Sequence, residues 1–202
     1  KTDFDLKCTD KDVNASWLEL LDFRDFDSYK KDVLDFAPDF LFHLAAQPIV
    51  SVSYAEPLDT ITTNVVGTAN ILECLRTLEN ECTAVFITSD KCYLNLDKNK
   101  SFSENDPLGG LDNYSSSKAG AEHIFSSYFH SYFKKSFLNI ASARAGNVIG
   151  GGDWADYRLI PDIVRSIYSG NVLNIRYPNS TRPWQHVLDP ILGYLELARQ
   201  TF

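Results

Sequence analysis

Short, wholly apolar runs alternate along this chain with much longer amphipathic stretches, and few folds satisfy that pattern. Residues 40–44 (FLFHL), 83–88 (TAVFIT) and 137–143 (FLNIASA) read as strands, the first bounded by Pro38 and Pro48. Residues 57–78 read as a helix with Ile61, Val65, Ala69, Leu72 and Leu75 on one face. Residues 113–133 read as a second helix, with Asp112 or Asn113 as its N-cap. Strands that are apolar throughout are buried on both faces. Strand–helix–strand alternation predicts parallel βαβ units. The expected class is therefore α/β, a doubly wound parallel sheet.

A polar loop is expected over 94–112 and a glycine-rich loop over 146–152. Beyond these come a helix at 160–168, a short strand at 172–175 and a closing helix at 187–199. This change of texture suggests two parts, 1–150 and 151–202. With 202 residues and 44% hydrophobic side chains, the chain has enough material for a sizeable core. Its net charge of -8 argues against a partner recognised through a phosphate backbone, so no nucleic acid is expected. No run of about 18 apolar residues is present, so no membrane span is expected. Cys8, Cys74, Cys82 and Cys92 form neither a CxxC pair nor a metal-binding spacing; they read as core thiols of a reducing, cytoplasmic protein with no metal. The chain has no methionine, even at position 1, and opens on polar residues without a strand–turn–helix. A first βαβ unit is expected to precede Lys1.

The chemistry centres on Tyr114-Ser-Ser-Ser-Lys118 near the start of a helix. Residues four apart share a helical face, about 6 Å apart along the axis. A lysine ammonium beside a phenol favours the phenolate and lowers the tyrosine pKa. A tyrosine tuned in that way can accept a proton from a sugar hydroxyl. Thr88-Ser89-Asp90-Lys91 stands at the carboxyl end of the preceding strand, where open α/β sheets bind their ligands. A hydroxyl, a carboxylate and an ammonium in succession are costly to bury and are expected to face a cleft.

Several further strings lie in a fixed order along the chain: FHLAAQP (42–48), TNVVGT (63–68), TSDKCY (88–93), YSSSK (114–118), RAGNVIGGGDW (144–154) and RPWQHV (182–187). Together they resemble the nucleotide-sugar dehydratases and epimerases of the extended short-chain dehydrogenase/reductase type. HLAAQ, TNVxGT and YxxxK are shared widely there, whereas SDK, RAGNVIGGGDW and RPWQHV resemble the branch that dehydrates CDP-glucose. The resemblance implies a Rossmann-like fold lacking its first βαβ unit, plus part of a smaller C-terminal substrate domain. It implies NAD as cofactor, a nucleotide-sugar substrate, and conversion of CDP-glucose to its 4-keto-6-deoxy product for deoxysugar and lipopolysaccharide biosynthesis. An epimerase needs the Tyr–Lys pair but no acid–base pair, so Asp90-Lys91 argues for the dehydratase.

Roles follow position by position as what the resemblance implies. Tyr114 takes the proton of the C4 hydroxyl, Ser89 bonds the C4 oxygen, and Lys118 binds the nicotinamide ribose. Lys91 stands where related dehydratases place the base for the C5 proton, or else stabilises the enolate as a cation, and Asp90 protonates the departing C6 hydroxyl. Leu44, Ala45, Ala46, Gln47 and Thr63 line the cofactor. Asp22 and Phe23 meet the adenine. Asn147 and Arg182 contact the substrate diphosphate region; Arg176 reads equally well as a solvated charge. The family resemblance also implies a homodimer or higher homo-oligomer, paired through the helices at 57–78 and 113–133.

Overall fold

A computed structural model describes Asp22 and residues 24–96, 101–175 and 177–202. Phe23 and Arg176 lie outside the described residues. Three parallel strands form the main sheet in the order β1 (Phe40–His43), β2 (Thr83–Ile87) and β3 (Asn139–Ala143). Their registers align His43 with Phe86 and Phe86 with Ser142. Residues aligned across neighbouring strands point to the same face, so these three form one row.

That row lies under a helical layer. The layer comprises α1 (Phe26–Phe36), α2 (Val50–Ala55), α3 (Pro57–Ile61), α4 (Gly67–Arg76) and α5 (Asn113–Tyr128). Tyr29, Ile71, Leu72, Leu75, Ala84, Phe86, Phe133 and Ile140 form one buried cluster between helices and sheet. The opposite face is covered near the C-terminus by α7 (Leu188–Thr201), which packs on β2 and β3. Phe202 meets the Phe40 ring at 5.3 Å. Helices on both faces make this the doubly wound arrangement that the apolar strands predict.

Several expectations are corrected. The helix expected at 57–78 is segmented: α2 begins at Val50, and a π-helical turn, Thr62–Val66, separates α3 from α4. The extra residue in that turn rotates what precedes it, so Ile61 is 41% exposed although Leu72 and Leu75 are buried. A second π turn, Phe129–Phe133, extends α5. The glycine-rich loop is partly β4 (Asn147–Ile149), paired in parallel with β5 (Trp184–His186). Residues 172–175 form no strand; Val172 is 95% exposed. α6 (Leu159–Ser169) occupies the expected place, whereas α1 was not foreseen. No described helix is long and apolar enough to cross a membrane.

Candidate active site

Parallel strands end on one side, so the segments after β1, β2 and β3 gather at a single edge of the sheet. After β2 the chain makes a 3-10 turn, Asp90–Cys92, for which Ser89 is the N-cap: its hydroxyl accepts from the Lys91 backbone N–H at 3.2 Å. The same hydroxyl lies 3.1 Å from Asp90 Oδ1. Against this turn stands the first part of α5. Its N-cap is Asp112, whose carboxylate accepts from the Ser115 backbone N–H at 2.9 Å and from the Ser115 hydroxyl at 2.7 Å.

Tyr114 and Lys118 are both buried, at 8% and 5% exposure. Ser89, also buried, stands close enough to the Tyr114 phenol to act on its titration, and the 3-10 turn that Ser89 caps packs against α5. Burial raises the Tyr114 phenol above its ordinary pKa, with Asp90 and Asp112 adding to the rise; Ser89 and Arg158 draw it down. Lys118 itself is pushed down to about 8 by burial, against the opposing pull of Cys92 and Glu122. It makes no ion pair with any described residue.

Behind this pair lies a buried polar network. Glu122, one turn beyond Lys118, accepts from the Thr88 hydroxyl, from the Ser142 hydroxyl at 3.2 Å and from Arg144 Nη2 at 2.7 Å. Arg144 therefore is an ion-pair partner. On the other flank, Asn64 in the first π turn accepts from the Gln47 backbone N–H at 2.8 Å and donates to Ser117 Oγ at 2.8 Å. The Gln47 side chain donates to Thr60 Oγ1 at 2.7 Å and accepts from the Ile49 N–H at 2.6 Å. Both ends of that amide are thus engaged within the protein.

The remaining sequence-derived residues fall as follows. Leu44 and Ala45 are exposed at the end of β1, beside the partly buried Ala46. Thr63 lies partly buried in the first π turn, and Lys91 is half-buried beside Asp90. Asp22 is exposed and paired with Arg24, which lowers its carboxyl below the usual range. Asn147 opens β4, and its Oδ1 is buried with no hydrogen-bond partner among the described residues. Arg182 is exposed and donates to Thr181 O. Thus Ser89, Asp90, Tyr114 and Lys118 converge, whereas Asp22 and Arg182 remain in separate, solvated positions.

Sequence reasoning missed Glu122, Asn64 and Arg158. Glu122 had a visible signal, since it follows Tyr114 and Lys118 at helical spacing on the buried face. Arg158 had none, because its influence on Tyr114 depends on tertiary placement.

A family model described as GDP-mannose 4,6 dehydratase matches residues 6–201. The chain belongs to the GDP-mannose 4,6 dehydratase family. Among curated relatives, a CDP-glucose 4,6-dehydratase of Salmonella typhimurium is 46% identical over 186 residues, covering 90% of this chain and 52% of the relative. A dTDP-glucose 4,6-dehydratase of Haemophilus influenzae is 28% identical over 192 residues, covering 90% of this chain and 55% of that protein. Among solved structures, DesIV, a dTDP-glucose 4,6-dehydratase from Streptomyces venezuelae with NAD and TYD bound, superposes with a TM-score of 0.78 at 28% identity. It covers 88% of this chain and 53% of DesIV. The chain spans about half the length of these relatives. As a member of this family it carries the buried YxxxK pair on α5 against the turn after β2 that holds buried Ser89 and half-buried Asp90 and Lys91.

Proposed function

We propose that the protein carrying this chain is an NAD-dependent nucleotide-sugar 4,6-dehydratase whose substrate is CDP-glucose. The observation that carries this reading is the packing of the start of α5 on the turn after β2, which gathers buried Tyr114, Lys118 and Ser89 with Asp90 beside Ser89. The likeness to the Salmonella CDP-glucose 4,6-dehydratase supports the choice of nucleotide.

The residues fit NAD. The end of β1 presents exposed Leu44 and Ala45 with no bulky polar group. Lys118 is a buried ammonium without an ion pair among the described residues, suited to ribose hydroxyls. When bound, NAD supplies a hydride acceptor and then a hydride donor. Tyr114 accepts the C4 hydroxyl proton, and Ser89 holds the C4 oxygen. The resulting ketone acidifies the C5 proton, which Lys91 removes, while Asp90 gives a proton to the departing C6 hydroxyl, released as water. Asn147, with its buried and unpartnered Oδ1, binds the substrate diphosphate region, and Arg182 contributes a guanidinium from the β5 approach. Ala46, Gln47 and Thr63 shape the cofactor side, Gln47 by fixing the turn after β1. Asp22 reaches adenine only by exchanging its Arg24 pairing.

Residues 1–150 belong to the NAD-binding part and 151–202 to a nucleotide-sugar part interleaved with it, α7 of the latter packing on β2 and β3. The protein works in the cytoplasm, in deoxysugar supply for surface polysaccharide, as a homodimer.

The test is incubation with CDP-glucose and with dTDP-glucose, following the 4-keto product by its alkaline absorbance. CDP-glucose should be converted, and Tyr114→Phe should abolish conversion without altering the circular dichroism spectrum. Undiminished turnover by Tyr114→Phe refutes the mechanism, and conversion of dTDP-glucose alone refutes the nucleotide.

A further inference from the structure

Glu122 is a carboxylate with a side-chain exposure of only 3%, and it touches neither the YxxxK pair nor the Ser-Asp-Lys triplet by hydrogen bond. A buried charge of this kind is costly unless fully bonded. Its bonds go to the ends of two different strands. Oε1 takes the hydroxyl of Thr88, the residue immediately before Ser89. Oε2 takes the Ser142 hydroxyl and the Arg144 guanidinium, at the end of β3 and just beyond it. Arg144 carries the connection onward. Its Nη1 donates to the Tyr93 hydroxyl at 3.0 Å and to the Glu104 carbonyl at 3.1 Å, and the guanidinium lies 5.0 Å from the Tyr93 ring centroid.

We propose that Glu122 is a positioning residue: by clamping α5 to the ends of β2 and β3, it fixes where Tyr114 and Lys118 stand relative to Ser89 and keeps a negative charge beside the Lys118 ammonium. The spacing makes the clamp effective. Tyr114, Lys118 and Glu122 lie at successive i, i+4 positions, so a helix held at Glu122 cannot slide or turn without moving the other two. Beneath it the aligned row His43, Phe86 and Ser142 gives α5 its seat, with Phe86 against Phe125 at 5.5 Å and Ser142 bonded to Glu122.

The second part of the role is electrostatic. The groups acting on Lys118 are Cys92 on the 3-10 turn and Glu122 on α5, and the Lys118 charge in turn lowers His43 on β1. Glu122 is in turn faced by Arg144 from beyond β3. Burial pushes the Lys118 ammonium toward neutrality, and Glu122 is the nearby carboxylate that opposes it. Removing that charge leaves Arg144 unpaired on the same side and disfavours the ammonium further.

This inference rests on the dehydratase reading only for its kinetic arm. Carbon-13 lysine NMR of the protein carrying this chain, with the Lys118 signal assigned by Lys118→Arg, reads the titration without turnover. In Glu122→Gln the Lys118 titration should fall by about one unit or more. Glu122→Asp keeps the charge and should bring it back toward the parent value. Should Glu122→Gln alone fail to fold, the paired variant Glu122→Gln with Arg144→Gln leaves no orphaned ion and should show a fall in the same direction, smaller because the Arg144 charge is removed with it. Where turnover of CDP-glucose is measured, Glu122→Gln should lose on the order of 100-fold in kcat with little change in KM, since a displacement near 1 Å is enough for that. Glu122→Asp, one methylene too short for both strand ends, should recover kcat only in part. An unmoved Lys118 titration in a folded charge-removed variant overturns the proposal, as does full kcat in Glu122→Gln. Absence of turnover in the parent overturns the dehydratase reading and leaves the NMR arm to decide on Glu122.

Discussion

Burial holds both the ammonium of Lys118 and the imidazole of His43 below their ordinary pKa, Lys118 at about 8 and His43 at about 4, and the Lys118 charge adds to the fall at His43. Both are bases with depressed folded values, so the sign is the same for each. The unfolded chain takes up the proton first as pH falls, and stability is lost through the window between the two values. For Lys118 that window is about 10.5 to 8, which places the full cost at neutral pH. Lys118→Met should therefore abolish activity and yet stabilise the fold at pH 7, by on the order of 3 kcal/mol. Urea unfolding at pH 7 and at pH 10.5 checks this, because the advantage should shrink at the higher pH. For His43 the window is about 6.5 to 4. Parent protein should lose on the order of 3 kcal/mol across it from this group, and His43→Gln should flatten that acid limb. An equally steep acid limb in His43→Gln would place the acid sensitivity elsewhere.

α5 is the element that turns a sequence motif into a site, and its start is set by one carboxylate. Asp112 satisfies the Ser115 N–H and hydroxyl two residues before and one residue after the positions that matter. Asp112→Ala should cost about 1 kcal/mol in thermal or urea unfolding. Its effect on kcat should exceed what that loss explains, because a frayed first turn moves Tyr114. Gly110 is packed against the same turn: a Cβ there would stand 2.3 Å from the Ser115 Cβ, so the loop before α5 tolerates no side chain at that point. This element was legible in the sequence, cap included, because its signals are local. β1 and β2 were legible for the same reason, as short apolar runs of limited length. The helix at 57–78 was legible only in part. Its apolar spacing assumed an unbroken 3.6-residue repeat, and the π turn at Thr62–Val66 shifts that phase, turning Ile61 outward and Thr60, Asn64 and Thr68 inward. No residue pattern announces such a turn; the buried bonds from Asn64 to Gln47 and Ser117 are what give it a place.

At the scale of the molecule, what the sequence hid is what distant segments do to one another. β4 and β5 are short, and their pairing depends on close approaches: a Cβ at Gly146 would lie 2.8 Å from Pro183 Cγ, and one at Gly150 would lie 2.6 Å from Val187 Cγ1. The glycines read as a loop, whereas Gly146 and Gly150 are the condition for bringing 184–186 beside 147–149. The apolar run at 172–175, by contrast, looked like a strand and stands largely in solvent. The outer side of the helical layer carries a further such surface. Tyr54 is 67% exposed, Leu58 72%, Ile61 41% and Val66 43%, a stripe along α2, α3 and the π turn. An exposed apolar stripe on a helical face is costly in water and is relieved by pairing with a like surface. The dimer proposed through these helices uses this stripe, with the small and polar outer positions Ser116, His123 and Ser127 of α5 beside it. Leu58→Glu combined with Ile61→Glu alters only exposed positions, so circular dichroism should be unchanged while light scattering on a sizing column moves from the dimer mass to the monomer mass. A dimer that persists with both glutamates in place assigns the interface to another face, and turnover measured on the same samples shows whether pairing contributes to the site.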